Sequence, residues 1–178
     1  MELFQKAVDA DPKNAPTWQA WAELEAQSDN IGDLDKEFTA RWLFKKATES
    51  NPHDPLPLTQ WAYIEKRQRN WTQAERLYLC AAEVEQNTRS RARIYFDLAT
   101  MFGNLDERKK DETYLLLAIE CNPSDSIAHA RLGRSYSFLG EWEKAEYHFQ
   151  RSLELNPGDR KTQEWYAKYR RAKERQIS

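Results

Sequence analysis

The chain is 178 residues long, with a net charge of −2, 31% charged side chains and only five glycines. That length suits one domain or one solenoid segment with a real core, and the near-neutral balance excludes bulk electrostatic attraction to nucleic acid or membrane. No apolar run approaches the roughly 18 residues needed to span a bilayer, and the two cysteines, Cys80 and Cys121, have no metal-site spacing.

Glu2 to Ala10 reads as an amphipathic helix with Leu3, Phe4, Ala7 and Val8 on one stripe, stopped by Asp11-Pro12. Met1-Glu2-Leu3-Phe4 leads straight into it, without the pattern of a signal peptide. Phe4-x2-Ala7 before Pro12 matches Phe44-x2-Ala47 before Pro52. Residues 1–12 are therefore expected to be the second helix of an incomplete repeat, and the chain a fragment of a longer array. The uncovered apolar strip of this helix is expected either to fray or to be buried by self-association against another copy of the chain.

Residues 13–52 form the first complete repeat. Its first helix carries Pro16, Trp18, Trp21, Ala22 and Leu24, and its second carries Phe38, Ala40, Leu43, Phe44 and Ala47. Pro12 and Pro52 stand 40 residues apart, whereas Pro123 and Pro157 stand 34 apart. The excess requires an extended turn at Asn30-Ile31-Gly32-Asp33 or an extra turn of helix. Residues 53–86 form the second repeat, with Pro55 and Pro57 around its first turn. Trp61-Ala62-Tyr63-Ile64-Glu65 echoes Trp21-Ala22-Glu23-Leu24-Glu25, Asn70-Trp71 is the expected turn, and Ala74, Tyr78 and Ala81 fill the second helix.

Residues 87–123 form a degenerate third repeat. Tyr95-x2-Leu98-Ala99-x2-Phe102 fits a first helix and Gly103-Asn104 is the expected turn. Asp111 then stands where a small alanine belongs. Residues 124–157 form the clearest repeat: His129-x2-Leu132-Gly133-x2-Tyr136, then Ala145-x3-Phe149, then Pro157. Gly133 and Ala145 are expected at the contact of two antiparallel helices. Gly140 is expected to take positive φ after the first of them. Residues 158–178 read as a capping helix with Trp165, Tyr166 and Tyr169 on one face, and residues 159–178 carry seven basic against three acidic side chains.

The 124–157 pattern resembles the tetratricopeptide (TPR) signature, a helix–turn–helix repeat of about 34 residues. The first two repeats also resemble the half-a-TPR (HAT) variant, through Trp21-Ala22-x-Leu24-Glu25 and Trp61-Ala62-x-Ile64-Glu65. The resemblance implies an all-α, right-handed superhelical solenoid of antiparallel helix pairs. It further implies a non-catalytic protein-interaction module, a scaffold or sensor segment that binds a peptide or protein surface in a concave groove lined by first helices. The alternative it implies is an RNA-associated HAT-like module in RNA processing.

Transferring the groove positions of that family gives Gln19, Glu23 and Gln27 in the first repeat, and Thr59, Tyr63, Lys66 and Arg67 in the second. The third gives Arg93, Phe96, Asp97 and Thr100, and the fourth gives Arg131, Arg134, Ser137 and Phe138. Lys161, Glu164 and Lys168 continue the wall on the last helix. Tyr63, Arg67, Arg93, Phe96, Thr100, Arg131, Arg134, Phe138 and Lys168 are the candidate binding residues. Their cations and aromatic rings suit an acidic peptide with an apolar or aromatic anchor; the competing reading is a merely solvated helix face.

Other chemistry is poorly supported. There is no Gly-rich phosphate loop, GxSxG or HExxH, and carboxylates such as Glu23 and Glu25 read as solvated. His53, His129 and His148 share no ligand spacing, so neither a metal nor a cofactor is expected. Cys80 and Cys121 read as reduced, small apolar residues at or beside buried positions, consistent with a cytoplasmic protein. Trp71 and Trp142 occupy equivalent positions and read as inter-helix packing.

Overall fold

The computed structural model describes residues 2–26 and 34–177. Among these residues there are ten helices and no strand, so the chain is all-α. It divides into two compact units, 1–86 and 87–178.

The first unit holds α1 (Glu2–Ala10), α2 (Ala15–Ala26), α3 (Leu34–Ser50), α4 (Pro55–Arg67) and α5 (Trp71–Val84). α2 pairs with α3, α4 pairs with α5, and α3 packs on α4. The helices approach closely because the residues between them are small: Ala22, Ala40, Ala47, Ala62, Ala74 and Ala81 are wholly buried. Leu43, Phe44, Trp18 and Trp21 fill the space around those contacts. Phe4 stacks on Trp21 at 6.0 Å and Val8 is buried, which seats α1 on this core. Leu3 (81% exposed) and Ala7 face away, so the buried stripe of α1 is narrower than the sequence suggests. Leu24 is likewise exposed. α3 has 17 residues against 14 in α5, so an extra helical turn is present in this repeat. The Asn30-Ile31-Gly32-Asp33 turn and Gln27 lie outside the described residues, and the side chain of Phe38 is not described.

One carboxylate ties this unit together. Glu65, buried in α4, accepts two hydrogen bonds from Arg41 of α3 at 2.7 and 3.0 Å, one from the Trp61 indole at 2.9 Å and one from Asn70 at 2.8 Å. Burial pushes its carboxyl up, but these donors outweigh burial and hold it below the usual carboxylate range. The echo between repeats thus has a physical basis. Trp21 donates to Glu25 at 3.1 Å as Trp61 donates to Glu65, each pair one helical turn apart.

The second unit holds α6 (Thr88–Asn104), α7 (Arg108–Cys121), α8 (Ser126–Leu139), α9 (Trp142–Leu155) and α10 (Arg160–Ile177). α6 pairs with α7, α8 pairs with α9, and α10 lies against α8 and α9. Asn87 and Asp125 cap α6 and α8, each side chain accepting from two backbone amides. Gly133 packs directly on Phe149: a Cβ there would sit 3.0 Å from the ring and 3.1 Å from the Phe149 amide nitrogen. On the other side Phe149 meets Tyr166 and Tyr169 of α10, both 5.6 Å away. Tyr169 also donates to Glu146 at 2.7 Å and to the Trp142 carbonyl at 2.9 Å. The last helix therefore packs against α8 and α9 through these tyrosines.

Three helix ends share one turn; the one at Gly140 stands where the sequence reading put it, and the other two are placed differently. Asn70, Glu107 and Glu141 each donate a backbone N–H to the carbonyl five residues earlier, at 2.9, 3.0 and 3.0 Å. In each, the preceding residue is left-handed: Arg69 (φ 63°), Asp106 (φ 61°) and Gly140 (φ 74°). Gly103 and Asn104 belong to α6, and Trp71 begins α5.

Gly133 and Phe149 are the tightest test of this packing. Phe149→Ala is expected to cost about 3–5 kcal/mol and Gly133→Ala about 1–3 kcal/mol by overpacking. Urea denaturation checks both; a Phe149→Ala protein as stable as the parent would contradict this account of the core.

Candidate peptide-binding surface

The expected surface residues fall in both units. In the first, Tyr63 and Arg67 project from α4 into solvent, with the Lys66 ammonium 5.0 Å from the Tyr63 ring. Gln19 and Gln60 both donate to Glu23, at 2.9 and 2.7 Å, so that carboxylate is not simply solvated.

The remaining seven candidates stand on α6, α8 and α10. Arg93 is exposed and paired with Asp97 on its own helix. Thr100 donates to the Phe96 carbonyl at 2.8 Å and accepts from Arg131. Arg131 is the main correction. Its guanidinium lies over the Phe96 ring at 5.1 Å, and its second amino group is 3.3 Å from the buried Asp111 carboxylate. It is a structural cation between α6, α7 and α8, with its donors spent inside the protein. This pair also explains the anomalous Asp111. An acidic side chain is tolerated at a position that favours alanine because an arginine from the next repeat meets it. Gly103 leaves room for both: a Cβ there would come within 2.9 Å of Arg131 and 3.0 Å of Asp111. Burial still pushes the Asp111 carboxyl up, opposed by Arg131, then by the Ser135 hydroxyl, and then by Arg108 and Arg134.

Arg134, Phe138 and Lys168 do come together. They line a notch of about 270 Å3 with Ser137, Trp165 and Tyr169. Phe138 is 61% exposed. Arg134 lies over two rings, Phe138 at 5.4 Å and Trp165 at 4.8 Å, and Lys161 covers Trp165 at 4.9 Å. Trp165 was expected only on the covering face of the last helix. It is half-buried and contributes to both faces, which its position between Lys161 and Lys168 foreshadows.

Two further residue classes bear on the sequence reading. Cys80 is exposed, directly beside the buried Ala81, and Cys121 is half-buried. His129 and His148, without ligand spacing in sequence, are brought together by the α8–α9 hairpin with their Nδ1 atoms 3.0 Å apart. The Nε2 of His129 is 3.2 Å from the Pro123 carbonyl, which can only accept. His129 Nε2 is therefore the donor there, its Nδ1 the acceptor, and His148 Nδ1 the donor between the rings. Among the described residues no group of three metal-ligating side chains includes them. Trp71 and Trp142 are half-buried at their hairpins, as expected of packing residues.

With this geometry in place, similarity to known proteins becomes interpretable. Residues 126–159 match the tetratricopeptide repeat family. The chain is 27% identical over 163 residues to anaphase-promoting complex subunit 3 of Schizosaccharomyces pombe, an alignment covering 89% of this chain and 22% of that protein. The crystal structure of YrrB, described as a TPR protein with an unusual peptide-binding site, matches with a TM-score of 0.70 at 19% identity. That match covers 96% of this chain and 84% of YrrB. The Cut9–Hcn1 hetero-tetramer of the anaphase-promoting complex matches with a TM-score of 0.60 at 15% identity, over 93% of this chain and 38% of that one. Residues 126–159 thus carry a tetratricopeptide repeat, and the chain has a helical-solenoid fold similar to that of these structures. It spans about a fifth of the length of the curated relative. Among the described residues, no helix is long and apolar enough to cross a membrane.

Two outcomes follow from the buried charges. Asp111→Ala strands Arg131 and is expected to cost about 3 kcal/mol, with Asp111→Ala/Arg131→Met recovering at least half; a double-mutant cycle by urea unfolding measures this. Burial holds both histidines below their ordinary value of 6.5, His148 at about 4. Because the unfolded chain then binds more protons, their stabilising effect is full above pH 6.5 and is lost as pH falls toward about 4. A melting temperature that stays flat across that window, or that falls identically in His148→Gln, would contradict the pairing.

Proposed function

We propose that the chain is a non-catalytic protein-interaction module whose surface on α8 and α10 binds an acidic peptide segment carrying an apolar or aromatic anchor. The observation that carries this reading is the notch of Arg134, Phe138, Trp165 and Lys168. An exposed phenylalanine at its mouth offers an apolar floor, and Arg134 has rings beneath it but no carboxylate partner among the described residues. A guanidinium held flat on aromatic faces keeps its N–H edge free for a carboxylate fork. That a similar fold, YrrB, is described as having a peptide-binding site, and that two other relatives are parts of a multi-subunit complex, supports a role in assembly.

Selection from a random peptide library against the full chain tests the reading. Enrichment of Asp or Glu beside Phe, Tyr or Leu is expected, and Phe138→Ala and Lys168→Glu should each weaken the selected peptides about tenfold. Peptides without acidic bias, or variants that bind like the parent, would overturn it. The RNA reading draws on the exposed Lys168, Arg170, Arg171 and Arg175 of α10. It requires single-stranded RNA binding that weakens steeply with salt and is lost when those four are neutralised.

A further inference from the structure

On the far side of Phe138 lies a second, polar cavity of about 190 Å3, closed by the ends of α6 and α8 and the start of α7. Three arginines converge on it. Arg131 is 3.3 Å from Asp111, the one carboxylate inside. Arg108 and Arg134 lie over the Phe138 ring at 5.1 and 5.4 Å, which fixes their planes and leaves the edge of Arg134 without an ion pair among the described residues. The competing partner of Arg108 is Asp106, an exposed turn residue with 77% of its side chain in water. Ser135 supplies an independent sign of a site. It is 97% buried and its Oγ lines the cavity facing the Asp111 carboxylate, which it helps to stabilise without forming a hydrogen bond of normal geometry. A buried hydroxyl left unmatched costs free energy unless something completes it.

The charge balance selects the ligand. Three guanidiniums face one buried carboxylate, which leaves an excess of two positive charges once Arg108 gives up its exposed partner Asp106. A lone carboxylate would neutralise half of that excess, whereas a phosphate monoester carries close to two negative charges at neutral pH and offers three acceptor oxygens. We propose that this cavity binds a phosphate monoester dianion through Arg108, Arg134 and the Ser135 hydroxyl. Arg131 holds Asp111 out of the way. Phe138 is the wall shared with the neighbouring notch, so a phosphorylated side chain close to the anchor of a docked peptide would reach it. That source rests on the peptide-docking reading; the chemistry of the cavity does not.

The test follows the arginine side-chain N–H and Ser135 amide signals of the isotopically labelled full chain by NMR. The probes are phenyl phosphate, inorganic phosphate and benzoate. Saturable shifts of Arg108 and Arg134 with both phosphates are expected, with benzoate about tenfold weaker. Arg108→Gln and Ser135→Ala should each weaken phosphate about tenfold while the rest of the spectrum is unchanged, which shows that the fold survives. Equal binding of benzoate and phosphate, or shifts that persist in Arg108→Gln, would overturn the proposal. Matched phosphorylated and unphosphorylated peptides then separate the sources. If phenyl phosphate saturates the cavity but no peptide binds, the anion site stands and the docking reading fails. If peptides bind through Phe138 and Lys168 regardless of phosphorylation, docking stands and a phosphorylated side chain of the docked peptide is overturned as the source of the cavity's ligand.

Discussion

Everything in this protein depends on how closely two helices can approach. At the crossing of α8 and α9 there is no side chain on one helix, and the other presents Phe149 to the gap. Alanines do the same work in the other hairpins. Close approach makes the contact short and the aromatic rings around it mutually fixed, because interiors pack at near-crystalline density. A fixed ring is also a fixed platform. Tyr166 and Tyr169 reach Phe149 from α10, and that contact sets where the exposed face of the last helix stands relative to Arg134 and Phe138.

The polar groups of the second unit sort by what satisfies them. Arg131 has Thr100, Asp111 and the face of Phe96 as partners within the protein. Arg134 has only aromatic faces, which attract its charge without occupying its N–H groups. Two arginines one helical turn apart on α8 therefore have opposite roles. The difference is set from outside the helix, by an aspartate on α7.

This explains which parts were legible in the sequence. The hairpins were legible because small residues and aromatic fillers recur in the same order along the chain, with a proline closing most of the repeats. The helical class and the covering role of α10 followed from them. The turn after α8 was visible because Gly140 is the residue that adopts a left-handed backbone without strain. The equivalent turns at Arg69 and Asp106 were not, since nothing about arginine or aspartate announces positive φ. The role of Arg131 was hidden because position within its own repeat cannot reveal a buried carboxylate contributed by another. The contact between His129 and His148 was hidden for the same reason: ligand spacing along a chain is blind to neighbours made by a hairpin.

The Glu65 node has a consequence for how the first unit comes apart. Arrays of repeats behave as one-dimensional chains, in which each hairpin has its own stability and a coupling to its neighbour. If coupling is weak, such arrays lose hairpins one at a time. Here Arg41 of one hairpin is locked in two parallel hydrogen bonds to a carboxylate of the next, and the same carboxylate is held by the indole and turn amide of its own hairpin. Neither hairpin can leave without stranding a charge that the other has desolvated. The α2–α3 and α4–α5 pairs thus open together as one cooperative block, and the grain of disorder in this half of the molecule is two repeats rather than one.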